Sequence, residues 1–88
     1  MTTYREKYDA LMAGMAALGK AIPGPMGGFA QLHKAAGADG ALDGKTKELI
    51  ALGIAVTVRC EGCIVCHVQD SLTAGATREE IQEVLGVA

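Results

Sequence analysis

From Tyr4 onward, apolar residues recur at helical spacing: Tyr4, Tyr8, Leu11, Met12, Met15 and Leu18 fall along one stripe. Thr3 followed by Glu6 has the form of a capping box, which predicts that a first helix opens there. Gly19 and the cluster Pro23-Gly24-Pro25 are predicted to close it. Phe29, Leu32 and Ala36 predict a shorter second helix, with Gly27 and Gly28 weakening its beginning. Gly37-Ala38-Asp39-Gly40 reads as a loop, and Asp43 is placed to cap a third helix that runs to about Thr57. The stretch Leu49 to Val58 is almost wholly apolar, and periodicity alone does not separate a buried helix from a buried strand. Its length and the polar turn Lys45-Thr46-Lys47-Glu48 before it favour a helix. A break near Arg59-Cys60 begins a fourth helix, with Ile64, Val65, Val68 and Leu72 as its core face and Gly75 just past its end. Thr77 and Glu80 form a second capping box, opening a helix that turns Ile81, Val84 and Leu85 toward the core. The pattern is that of an all-α protein.

Composition narrows the picture. The 88 residues suffice for one domain, and 1–88 is read as a single one. Half the residues are apolar, yet only three are aromatic, so the apolar mass is Ala, Val, Leu, Ile and Met, which suits close helix packing. A chain this short buries a limited share of its surface. Burial is therefore expected to continue into partner subunits. The net charge of −2 comes with no basic block, so there is no electrostatic footprint for nucleic acid. Met1-Thr2-Thr3-Tyr4-Arg5-Glu6 lacks the apolar run of a signal peptide, and Leu49 to Val58 is too short to span a membrane. The expected compartment is the cytoplasm, where clustered cysteines are more often catalytic or metal-binding than structural. The apolar ending Leu85-Gly86-Val87-Ala88 predicts a further helix beyond it.

The chemistry is concentrated in Arg59-Cys-Glu-Gly-Cys-Ile-Val-Cys-His67. One reading is a redox dithiol. Cys60 and Cys63 form a C-x-x-C pair, and on a helix Cys63 and His67 share a face one turn apart. The imidazole can then accept the Cys63 proton, directly or through one water. Both sulfurs would lie at a helix N-terminus, which stabilises a thiolate. A second reading is covalent haem, because Cys63-Ile-Val-Cys66-His67 is literally C-x-x-C-H. Against it stand the missing export signal, the lack of a following Met as sixth ligand, and the low aromatic content. A third reading is metal. Cys60, Cys63, Cys66 and His67 are four possible zinc ligands, but zinc sites usually draw ligand pairs from separate segments, and an iron–sulfur cluster would want a fourth cysteine. The dithiol reading is preferred, with no metal and no cofactor. Cys66, three residues past Cys63, reads as a small buried hydrophobe. His33 reads as a surface or interface residue, and Met12 and Met15 as core or subunit contact.

Lys45-Thr-Lys-Glu-Leu-Ile-Ala-Leu52, Cys60-Glu-Gly-Cys63 with His67, and Ala74-Gly-Ala-Thr-Arg-Glu-Glu-Ile81 together resemble the carboxymuconolactone decarboxylase / alkylhydroperoxidase D-like family. The resemblance covers Lys45 to Ala88, and the cysteine pair places it with the redox branch. It implies an alkylhydroperoxidase D-like helical bundle that assembles as a homo-oligomer, commonly a trimer or hexamer. It also implies reduction of a hydroperoxide at the expense of a thiol or dithiol reductant. Carried over by position, Cys63 is the peroxidatic thiol, Cys60 the resolving thiol, His67 a proton relay, and Glu48 the carboxylate that activates the relay. Family chains tend to run on through one more apolar helix. The best-studied pattern has a second histidine just before the second cysteine, where this chain has Gly62, and Cys66 is an extra thiol. A redox sensor that does not turn over, and a lactone decarboxylase from the wider family, are the alternatives. Glu48 lies twelve residues before Cys60. On one unbroken helix the two would be about 18 Å apart. Glu48 can join the site only if the chain folds back near Arg59, or across a subunit contact. Otherwise it is a solvated first-turn carboxylate.

Overall fold

A computed structural model of the chain describes residues 2–88. Five helices follow one another: α1 (Tyr4–Ala21), α2 (Pro23–Gly37), α3 (Gly44–Val58), α4 (Glu61–Thr73) and α5 (Arg78–Val87). No strand occurs among the described residues. The predicted all-α class is the observed one.

Local chemistry accounts for most of the boundaries. The Thr3 side chain accepts the Glu6 N–H at 3.1 Å at the start of α1. Asp43 does the same for Thr46 at 2.8 Å at the start of α3, where Asp39 also accepts the Gly44 N–H at 2.6 Å. Thr77 and Glu80 form the full reciprocal capping box of α5. Gly75, with φ 96°, closes α4 in a Schellman turn: its N–H reaches the Leu72 carbonyl and that of Ala76 reaches Ser71. The structure differs from the sequence reading at Pro23. The Pro-Gly-Pro cluster does not lie between two helices; it forms the first turn of α2, and α1 runs on to Ala21. A proline at the first helical position loses no hydrogen bond, because that N–H has no partner within the helix, and its φ is already helical.

Contacts group the residues into two compact units, one ending at Ala38 and one spanning Asp39–Ala88. In the first, α1 packs on α2, and neither helix contains a buried residue. Phe29 and Leu32 of α2 are 53% and 68% exposed. In the second, α3 packs against both α4 and α5. Its core is Leu52, Ala55, Val65 and Ala76, with Leu52 fully buried. Burying a leucine completely contributes roughly 1.5–3 kcal/mol.

The core face of α4 is rotated from the predicted one. Val65 is buried, but Leu72 is 45% exposed and its neighbour Ser71 is fully buried. The Ser71 hydroxyl has no hydrogen-bond partner among the described residues. Beyond its polar first turn, α3 is apolar on nearly every side from Leu49 to Val58, as a helix wrapped by protein would be. Here Ile50, Ile54 and Val58 remain exposed and line an apolar groove with Val84 and Val87 of α5.

A dithiol and a histidine–carboxylate pair on two helices

The turn between α3 and α4 builds the site. After Val58 the chain enters the left-handed region at Arg59, with φ 60° and ψ 40°. The Arg59 N–H reaches the Val56 carbonyl and the Cys60 N–H reaches that of Ala55, which is again a Schellman closure. Glycine usually takes this position because a side chain costs energy there. Arg59 is the sole non-glycine residue with positive φ among the described residues. The reversal sends α4 back along α3, which is the fold-back that Glu48 needs to reach the site.

Cys60 is the N-cap of α4, and its sulfur accepts the Cys63 N–H at 3.2 Å. Cysteine therefore stands where serine or aspartate would ordinarily cap the helix. The two sulfurs are bonded to each other, with Cα atoms 5.2 Å apart, inside the usual range for a disulfide. That bond is possible because Cys60 lies outside the regular helix and Cys63 lies in its first turn.

One turn deeper, His67 projects toward α3. Its Nδ1 lies 3.0 Å from Oε2 of Glu48. The two side chains are 23% and 17% exposed, so the pair is largely shielded from water. A carboxylate on Nδ1 fixes the ring orientation and leaves Nε2 to exchange a proton. In this oxidised state no hydrogen bond joins His67 to either sulfur among the described residues. Two pairs are thus assembled: Cys60 with Cys63 at the mouth of α4, and, one turn further along, His67 of α4 with Glu48 of α3.

Cys66 takes no part in the disulfide. Burial pushes its thiol above the usual 9.0, and the nearby Asp70 and Glu48 carboxylates push it further. It stays protonated at neutral pH and is a poor nucleophile. Three features of the centre escaped the sequence reading: the left-handed Arg59, the capping role of the Cys60 sulfur, and Asp70 beside Cys66. The second and third left traces in the sequence: Cys60 stands three residues before the N–H it caps, and Asp70 stands four residues past Cys66, on the same helix face.

The helical fold, the C-x-x-C disulfide and the half-buried histidine–carboxylate pair define a class of small helical proteins with a dithiol centre. The model of the carboxymuconolactone decarboxylase family matches residues 23–88, and the chain belongs to that family. The match begins at Pro23, well before Lys45, where the motifs that suggest the family begin. An uncharacterized protein of Cupriavidus necator is 44% identical over 86 residues, covering 98% of this chain and 76% of its own length. An uncharacterized protein from the cox locus of Paracoccus denitrificans is 47% identical over 60 residues, 68% of this chain. One from Haemophilus influenzae is 39% identical over 70 residues, 80% of this chain. The matched parts make up 54% and 62% of those two relatives. The crystal structure of the apo form of a carboxymuconolactone decarboxylase family protein from Legionella pneumophila superimposes with a TM-score of 0.89 at 44% identity. That match covers 96% of this chain and 75% of the other. No helix among the described residues is long and apolar enough to cross a membrane.

Proposed function

We propose that this protein is a thiol-dependent peroxidase whose Cys60–Cys63 pair cycles between dithiol and disulfide. The observation that carries the reading is the coincidence of a bonded C-x-x-C pair with a histidine one turn away, its Nδ1 held by a largely buried carboxylate. Cys63 attacks the terminal oxygen of a hydroperoxide while its proton passes to His67. The O–O bond breaks, the alkoxide takes the proton from His67, and Cys63 becomes a sulfenic acid. Cys60 then attacks the Cys63 sulfur, expelling water and forming the disulfide. An external dithiol returns the pair to its reduced form. Glu48 orients the imidazole and stabilises its charged form during transfer.

A reducing compartment such as the cytoplasm suits that cycle. Assembly as a homotrimer or homohexamer is part of the proposal, and the exposed apolar side chains of Ile50, Ile54 and Val58 on α3 support it. The partners are then a hydroperoxide, a thiol reductant and further copies of the chain.

The test is peroxide consumption with a supplied dithiol. The Cys63→Ser variant is expected to lose it, and consumption at the parental rate would refute the proposal. Gly62, in the place of the family's second histidine, motivates one other reading: a redox sensor that forms its disulfide once without turning over. That protein would consume one equivalent of peroxide and stop. Decarboxylase chemistry would instead survive alkylation of all three thiols.

A further inference from the structure

We propose that Arg59 is a specificity-determining residue: it selects a hydroperoxide that carries a carboxylate. The inference rests on the dithiol reading above and names the substrate class of that site.

The turn between α3 and α4 holds a residue that does not suit its backbone. Arg59 sits at φ 60° and ψ 40°, where a side chain carries a steric cost and glycine carries little. The closing turn of α4 has the same hydrogen-bond pattern and uses Gly75, at φ 96°. Glycine thus stands at one helix end and arginine at the other. Residues held in sparsely populated backbone regions cluster at functional sites. The arginine contributes no burial, since it is exposed, as is Val58 before it at 62%.

The same residue brings a charge that nothing nearby balances. No ion pair of the Arg59 guanidinium occurs among the described residues, whereas Arg5 has Asp9 and Lys45 has Glu80. Glu61 adjoins Cys60 on the other side with the opposite charge. It already has a partner in the fold, and the positive end of α4 offsets its charge in the first turn. The stretch of α3 leading into the turn, Leu49 to Val58, carries no ionisable side chain. Glu48 is bound to His67 a turn beyond Cys63, and Glu83 lines the groove between α3 and α5.

Proximity makes this cation matter to the chemistry. Arg59 is the residue next to Cys60, and successive Cα atoms are about 3.8 Å apart. Whichever way the side chain points, its charge stays on the order of one Debye length from the sulfurs, about 8–10 Å. When Cys63 attacks the terminal oxygen of a hydroperoxide, the organic part of that molecule extends away from the sulfur. A carboxylate on it meets a planar fork of donors matched to its two oxygens. Glycine at position 59 would give the less strained turn and lose this selection, a trade of stability against function.

The experiment compares the parent with Arg59→Gln and Arg59→Lys. The reduced proteins are first treated with iodoacetate, which is anionic, and with iodoacetamide, which is neutral and of similar size. The label is mapped to Cys60 and Cys63. The ratio of the two rates cancels any change in the amount of thiolate. Arg59→Gln is expected to lower the iodoacetate-to-iodoacetamide ratio by about two- to fivefold at low salt, while Arg59→Lys keeps it within about twofold of the parent. At high salt the parent and Arg59→Gln are expected to converge. Turnover with a neutral dithiol is then measured on cumene hydroperoxide and on its para-carboxylate. The ratio of kcat/KM, carboxylate over neutral, is expected to fall by about three- to tenfold in Arg59→Gln, through KM. A ratio that Arg59→Gln leaves unchanged, in either measurement, would overturn the inference. If Arg59→Gln fails to give a helical spectrum, Arg59→Gly, which relieves the turn, takes its place with the same fall expected. If neither hydroperoxide is turned over while the alkylation ratio falls, the peroxidase reading fails and selection of an anion by Arg59 stands.

Discussion

Removing the Glu48 carboxylate tests the tertiary contact on which the site depends. Nδ1 of His67 and Oε2 of Glu48 are 3.0 Å apart, with the two side chains 23% and 17% exposed. A hydrogen bond with a charged partner contributes about 1.5–3 kcal/mol to stability. Since about a fifth of each side chain remains open to water, the lower end of that range applies, about 1.5 kcal/mol. In a domain of this size each kcal/mol moves Tm by about 4–8 °C, so Glu48→Ala is expected to melt roughly 6–12 °C lower. A double-mutant cycle with His67→Ala isolates the pairwise part, expected to exceed about 1 kcal/mol. Peroxide turnover supplies the functional half of the test. Loss of the His67 relay is expected to lower kcat/KM by about 10²–10⁴-fold. Loss of Glu48 alone costs less, roughly 10–100-fold by analogy with other groups that orient a histidine. The double variant should be no slower than His67→Ala, since the two residues act as one unit. Stability effects that add to within about 0.5 kcal/mol, together with undiminished turnover in Glu48→Ala, would refute this account of the pair.

Arg59→Gly should stabilise the protein. It relieves about 1–2 kcal/mol of left-handed strain and returns about 0.5–1 kcal/mol in backbone freedom, for a net gain of roughly 0.5–1 kcal/mol. A melting temperature below the parent's would show that the arginine side chain stabilises the turn by more than its backbone costs. The Lys45–Glu80 pair, 2.9 Å apart, joins the first turns of α3 and α5 and has a defined pH window. The Lys45 side chain, mainly by hydrogen bonding, holds the Glu80 carboxyl below its ordinary 4.5, and Glu80 in turn raises the Lys45 ammonium above 10.5. The carboxylate's contribution is complete above pH 4.5 and fades as pH falls through its lowered folded-state value. The lysine's is complete below 10.5 and fades as pH rises through its raised value. Thermal melts of the parent and of Lys45→Met should therefore differ most between these limits and converge in acid.

Much of the secondary structure is legible along the chain because its causes are local. Thr3, Asp43 and Thr77 each bond an N–H three residues ahead, and Gly75 takes a left-handed φ that costs glycine little, so these positions announce themselves. The spacing of Cys60, Cys63 and His67 likewise fixes their neighbourhood once the helix is granted, since they fall at its N-cap and within its first two turns. Pro23 misleads because the same residue ends one helix and begins another, and the choice depends on how closely the two follow. Leu72 and Ser71 exchange places because hydrophobicity at a single position does not dictate which arc of α4 faces α3; the packing of the helices does. The meeting of Glu48 with His67, 19 residues apart, belongs to the tertiary structure alone. It requires the chain to reverse at Arg59, where nothing local favours a left-handed backbone. Packing around Leu52 and Val65 outweighs the one or two kcal/mol that the turn costs, and that collective gain is invisible at any single position.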